Sequence, residues 1–127
     1  MADYPEDLNY TADHEWVKTG NDSIVRVGIT GYAAESLGDI VYASLPSLGD
    51  EVAAGDSIME LESTKSVSEV FSPVDGVICM INEAVADSPD LINSDPYGDG
   101  WLFEVEITDE EQLDDLLDVN AYTSQLD

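Results

Sequence analysis

Hydrophobic and polar positions alternate in short runs over most of this chain, with the two-residue period of half-buried strands. Residues 14–18 alternate. So do residues 24–29, where Val25, Val27 and Ile29 stand against Arg26 and Gly28. Gly20-Asn21-Asp22 between them is a turn signal, and the two runs predict a hairpin. Residues 1–12 are polar, with Tyr4, Leu8 and Tyr10 as possible anchors. Thr30 is placed to cap a helix over 31–37, with Gly38 as its stop. Residues 39–45 return to strand, with Ile40, Tyr42 and Ser44 expected on one face and Pro46 ending it. A tight loop over 48–56 has Val52 as its apolar anchor.

A second hairpin follows. Met59 and Leu61 fall on one face, Glu60 and Glu62 on the other. Ser63, Thr64 and Ser66 favour a turn because their hydroxyls bond nearby backbone. Val67, Val70 and Phe71 give the return arm β-branched and aromatic bulk. Residues 74–81 read as the next strand, and 82–86 as a helical turn. Ser88-Pro89-Asp90 opens another turn, with serine as cap and proline at the first helical position. A loop over 95–100 leads to a strand over 101–107. Thr108-Asp109-Glu110-Glu111 reads as a capping box opening a helix with a Leu113, Leu116 and Leu117 stripe. Tyr122 and Leu126 mark a last short helix. The predicted fold is mainly β, a flattened antiparallel sandwich–barrel hybrid with short helices and a C-terminal helix. A length of 127 residues suits a single domain over 1–127 with its own core.

Charge changes the picture. Twenty-nine acidic residues against three basic ones give a formal net charge of −26. That balance argues against nucleic acid or an anionic membrane surface as partner. It fits partners with basic docking surfaces, or adaptation to high salt. The even spread of acids along the chain favours salt adaptation. Cys79, the only cysteine, excludes an intrachain disulfide and sits in an apolar run, which predicts a core position. No stretch reaches the roughly 18 apolar residues of a membrane helix. With no basic, apolar leader before Lys18, a cytoplasmic protein is the expectation. No catalytic constellation and no metal site is expected. His14, beside Glu15 and Trp16, reads as a structural or docking residue rather than a base.

The candidate chemistry centres on Lys65, one of two lysines in the chain, at the tip of the second hairpin. The plain alternative is a solvated surface lysine, the common state of this residue. Scarcity of lysine elsewhere, and framing by Gly49, Gly55 and Ser72-Pro73-Val74-Asp75-Gly76, favour a modified one. This framing resembles the biotinyl/lipoyl carrier superfamily. Glu62 and Ser63 before Lys65, with Thr64 and Ser66 beside it, are similar to lipoyl rather than biotinyl attachment sites.

The resemblance extends along the chain. Residues 10–17, 27–30, 37–41, 72–74 and 93–101 are similar, in order, to motifs of the glycine cleavage system H proteins. One departure is Thr64-Lys65-Ser66, where the family often has valine before the lysine and alanine after it. That difference bears on recognition by a given ligase. The resemblance implies a fold of lipoyl-domain type and lipoate joined to Lys65 by an amide. It also implies a non-catalytic, monomeric carrier that moves the aminomethyl group of glycine from glycine decarboxylase to aminomethyltransferase. Dihydrolipoyl dehydrogenase would then reoxidise it, and a lipoate-attaching enzyme would have modified it beforehand. A sheltered carboxylate near the arm would favour its protonated amine, because Coulomb attraction strengthens as the local dielectric falls. Glu15 and Glu69 are the candidates, with Trp16 as an apolar wall. Three other readings stand beside this one. They are a lipoyl or biotinyl module of another multienzyme complex, an unmodified acidic interaction protein with this fold, and an enzyme using Cys79 or His14.

Overall fold

A computed structural model describes residues 8–20 and 23–125. The expectations placed on Tyr4, on the Asn21-Asp22 turn and on Leu126 lie outside the described residues. Among the described residues, nine strands form two antiparallel sheets. The larger contains β1 (Asn9–Tyr10), β2 (Glu15–Thr19), β3 (Ile24–Ile29), β5 (Glu51–Val52), β8 (Gly76–Ile81) and β9 (Phe103–Ile107), in the order β1-β2-β3-β9-β8-β5. The smaller contains β4 (Ile40–Ser44), β6 (Ser57–Ser63) and β7 (Val67–Phe71), in the order β4-β6-β7. Short helices α1 (Gly31–Leu37), α2 (Glu83–Asp87) and α3 (Leu91–Ser94) lie in the connections, and α4 (Val119–Gln125) follows the last strand.

The inward-facing residues of both sheets build one core. Val25, Val27, Ile78, Phe103 and Val105 of the larger sheet meet Ala43, Met59, Leu61 and Val70 of the smaller, joined by Ala34, Val85 and Ile92 from the helices. Strand β2 is buried on both faces. Val17 belongs to this core, while Trp16 on the opposite face joins Leu8, Tyr10 and Tyr122 in a second cluster. Gly28 lies across from Trp16, and a Cβ there would stand 2.6 Å from the indole. Only glycine admits the ring at this distance. The indole N–H then donates to the Pro96 carbonyl at 2.9 Å.

Local signals produced several elements as the sequence predicts. Thr30 caps α1, accepting the amide of Ala33 with its hydroxyl, and Gly38 ends it at φ 81°. Asn82 caps α2 by accepting from the amide of Ala84. Both arms of the 57–71 hairpin form, with Met59 and Leu61 buried and Glu60 and Glu62 exposed.

Other expectations are corrected. Register shifts mark bulges at Val41 and Cys79. An extra residue reverses the alternation beyond it. In β4, Ile40 and Ala43 are therefore buried, while Tyr42, expected on the face of Ile40, is exposed. In β8, Cys79 lies on the face opposite buried Ile78 and is exposed, not core, and the bulge turns the next residue, Met80, outward as well. Residue Asp109, not Thr108, caps the segment after β9 by accepting from the amide of Glu111, and that segment is a 3₁₀ turn over Glu110–Asp115. Helix α3 begins at Leu91, with Asp90 as its cap residue and no side-chain cap bond, rather than at a Ser88 cap.

Candidate functional site

Lys65 sits exposed at the tip of the β6–β7 hairpin. Ser63 builds the tip. Its amide donates to the Ser66 carbonyl at 2.8 Å, and its hydroxyl accepts the amides of Lys65 at 3.1 Å and Ser66 at 3.0 Å. One short side chain thus satisfies the backbone of a turn that needs no positive φ at Thr64 or Lys65. The Thr64 amide donates to the Asp39 carbonyl at 3.1 Å, fastening the tip to the start of β4. Glu62 lies exposed on β6, paired with Tyr42 on one side and Val67 on the other.

The lysine side chain lies over Gly38. A Cβ on Gly38 would stand 3.0 Å from Lys65 Cε and 3.6 Å from Nζ. Sequence reading gave Gly38 only the role of a helix stop; its positive φ also leaves room for this side chain. Asn93 of α3 braces the same turn, accepting from the Ile40 amide at 2.9 Å and donating to the Gly38 carbonyl at 2.8 Å. Beside Gly38 opens a cleft of about 450 Å³, floored by Gly31 and Ala34, with Glu35, Asp39 and Tyr97 among its walls. Nothing within a few residues of any of these signals a cleft, because α1, α3 and the loop after α3 come together only in the fold.

The two candidate carboxylates occupy different surroundings. Glu15 is buried at 2% exposure. Its Oε2 accepts the Phe71 amide at 2.7 Å and its Oε1 the Thr11 hydroxyl at 3.1 Å. Burial pushes its pKa up to about 7, against those two hydrogen bonds and with a further upward contribution from the charge of Asp13. Glu69 is exposed, accepts from the Ser57 hydroxyl at 2.8 Å and faces Glu60 across the hairpin. Both reach β7, Glu69 from its own position and Glu15 two residues further along. Trp16, next to Glu15 on the strand, projects the other way into the second cluster, so it forms no wall for this carboxylate.

His14 has a structural place. Its Nδ1 and the Tyr122 hydroxyl are 2.8 Å apart, and that hydroxyl lies 2.8 Å from Thr30 Oγ1. Its ring packs on Tyr32 at 4.7 Å between centroids. Burial lowers its pKa, against the opposing charge of Asp13. Burial likewise raises the Cys79 thiol, helped by Glu104 and Glu106 on the neighbouring strand.

An acyl group on Lys65 suits this geometry. The amine is exposed on a braced turn, and among the described residues no carboxylate lies within ion-pair distance of it. A family model described as glycine cleavage H-protein matches residues 8–127. A glycine cleavage system H protein from Mycobacterium avium (strain 104) is 48% identical over 130 residues, covering 99% of this chain and 98% of its own. One from Idiomarina loihiensis is 46% identical over 127 residues, covering 100% of this chain and 98% of its own. The crystal structure of a glycine cleavage system H protein from Mycobacterium marinum superposes with a TM-score of 0.88 at 45% identity, covering 97% of this chain and 98% of that one. With its lysine-tipped hairpin in the smaller of two antiparallel sheets, this chain belongs to the glycine cleavage H-protein family.

Proposed function

We propose that this protein is the lipoyl carrier of a glycine cleavage system, with lipoate joined to Lys65 through an amide. The observation that carries the reading is the exposed Lys65 amine on a turn held by Ser63, in a chain that matches the family from end to end. When attached, lipoate supplies a disulfide able to accept the aminomethyl fragment of glycine and to be regenerated by oxidation. The chain's own task is mechanical. Ser63 and the Thr64–Asp39 backbone bond hold the attachment point rigid, so that motion is confined to the arm. Tethering raises the effective concentration of the carried fragment at each docked active site. The partners in this reading are glycine decarboxylase, aminomethyltransferase, dihydrolipoyl dehydrogenase and a lipoate-attaching enzyme. The protein itself is a monomeric, non-catalytic, cytoplasmic subunit forming one domain. Glu15 and Glu69 are the residues proposed to hold the amine of the loaded arm. Among the described residues no helix is long and apolar enough to cross a membrane.

The test is the mass of protein purified from its native host. Peptide mapping should place a lipoyl adduct on Lys65 and none on Lys18. Lys65→Arg should fold and fail to support glycine cleavage. Full activity in that variant ends the carrier reading and leaves the unmodified interaction protein as the better account.

A further inference from the structure

The outer face of the three-stranded sheet bears apolar side chains that the core does not use. Pairing aligns Tyr42, Glu62 and Val67 in one row across the three strands, and Ser44, Glu60 and Glu69 in the next. Tyr42 is 52% exposed and Val67 55%, with Val41 at the bulge 56%. Their inward-facing neighbours Ala43, Leu61 and Val70 already supply the core. Exposed apolar patches mark interaction sites, and tyrosine is among the residue types enriched at binding anchors.

The carboxylates fix the character of what would bind. Glu60 and Glu69 are directly opposed, and like charges in that relation weaken a sheet. Glu62 stands between the two apolar side chains. A partner with an apolar patch rimmed by lysine or arginine would cover the row and relieve this repulsion. The face also lies against the tip: Glu62 is three residues before Lys65, and Val67 two after it. An enzyme that acylates Lys65 must draw Nζ itself into its active site, so it has to close over both flanks of the hairpin. Enzymes that meet the far end of an arm can stand away from them.

We infer that the Tyr42–Glu62–Val67 face is the docking surface for the enzyme that acylates Lys65. That partner presents an apolar patch ringed by basic side chains. The inference rests on the reading of Lys65 as the attachment site.

The experiment uses the full-length unmodified protein with a lipoate–protein ligase, ATP and lipoate, following acylation by intact mass. The variants are Tyr42→Thr, Val67→Thr, their double, and Glu62→Gln with Glu69→Gln. Met80→Thr, an exposed apolar residue on the other sheet, is the control. In the double variant KM should rise about ten-fold, as expected for losing one or two apolar contacts, with kcat near the parent value. The glutamine pair should raise KM and flatten its dependence on salt. Met80→Thr should match the parent, and all variants should melt close to it. A folded double variant with the parent KM overturns the inference while leaving Lys65 as the acylated residue. The same holds if the double variant keeps its acylation kinetics but loses affinity for aminomethyltransferase, since the face then serves that enzyme. If the parent protein is never acylated, the reading of Lys65 falls and the inference falls with it.

Discussion

Glu15 and Phe71, fifty-six residues apart, are joined by a 2.7 Å hydrogen bond from the Phe71 amide to the Glu15 carboxyl. The bond has a clear cause. Strand β7 is an edge of its sheet, so its outer amides lack a strand partner, and a buried amide left unpaired is costly. Glu15 reaches from β2 to supply the acceptor. The larger sheet is thereby fastened to the strand that leaves Lys65, by a titratable group with almost no access to water.

The first prediction follows from that titration. An ordinary glutamate ionises near 4.5, and burial raises Glu15 to about 7. The folded state therefore holds a proton that the unfolded state releases between these values. The associated stability is fully present below pH 4.5 and is lost as pH rises through 7, by about 3 kcal/mol. Denaturant titrations from pH 5 to 8, in molar potassium chloride to screen general repulsion, should show the parent weakening. Glu15→Gln keeps an acceptor for Phe71 but cannot ionise, so its curve should be flatter. Parallel curves would show that Glu15 is not the titrating group.

A second prediction concerns the loaded arm. A protonated amine brought beside Glu15 would favour the ionised carboxylate that burial otherwise disfavours. Glu69 offers a charge on the solvent side. In lipoylated, folded protein loaded with an aminomethyl group, Glu15→Gln and Glu69→Gln should each speed its release as formaldehyde and ammonia. Parent rates in both variants would exclude these two residues as the cradle.

Cys79 should be dispensable. It stands exposed on a bulge, and its thiol is pushed up by partial burial and by Glu104 and Glu106, which disfavours the reactive thiolate. Alkylation at neutral pH should be slow. Cys79→Ala should change stability by no more than about 0.5 kcal/mol, as surface substitutions usually do. It should also retain full transfer of the aminomethyl group. Loss of transfer in a folded, lipoylated variant would give the cysteine a role that this account denies it.

Stability should rise with salt. A net charge of −26 repels itself, and at molar ionic strength the screening length falls to about 3 Å. The Arg26–Glu104 pair, 2.8 Å apart with Arg26 also over the Trp101 ring at 4.3 Å, is too local to offset that repulsion. The melting temperature should climb between low and molar potassium chloride. An unchanged value removes the case for salt adaptation.

The chain announced its hairpins, the helix capped by Thr30 and Lys65 at a tip by means that act within a few residues. Alternation sets the two faces of β6, the Thr30 hydroxyl caps α1, and the Ser63 hydroxyl closes the turn around Lys65. What the chain alone could not reveal depends on residues far apart in sequence. A bulge exists only relative to a partner strand, so the outward turn of Met80 and Tyr42 was settled by register against Glu104 and Glu62. The burial of Glu15 came from its reach to Phe71, and the place of His14 from a tyrosine 108 positions away. Gly38 lies beneath Lys65 because the Thr64 amide and Asn93 bind the backbone on either side of it. Periodicity and capping are local energies and are written in order along the chain. Register, burial and the titration that burial brings are pairwise energies, decided only once the two sheets have closed on each other.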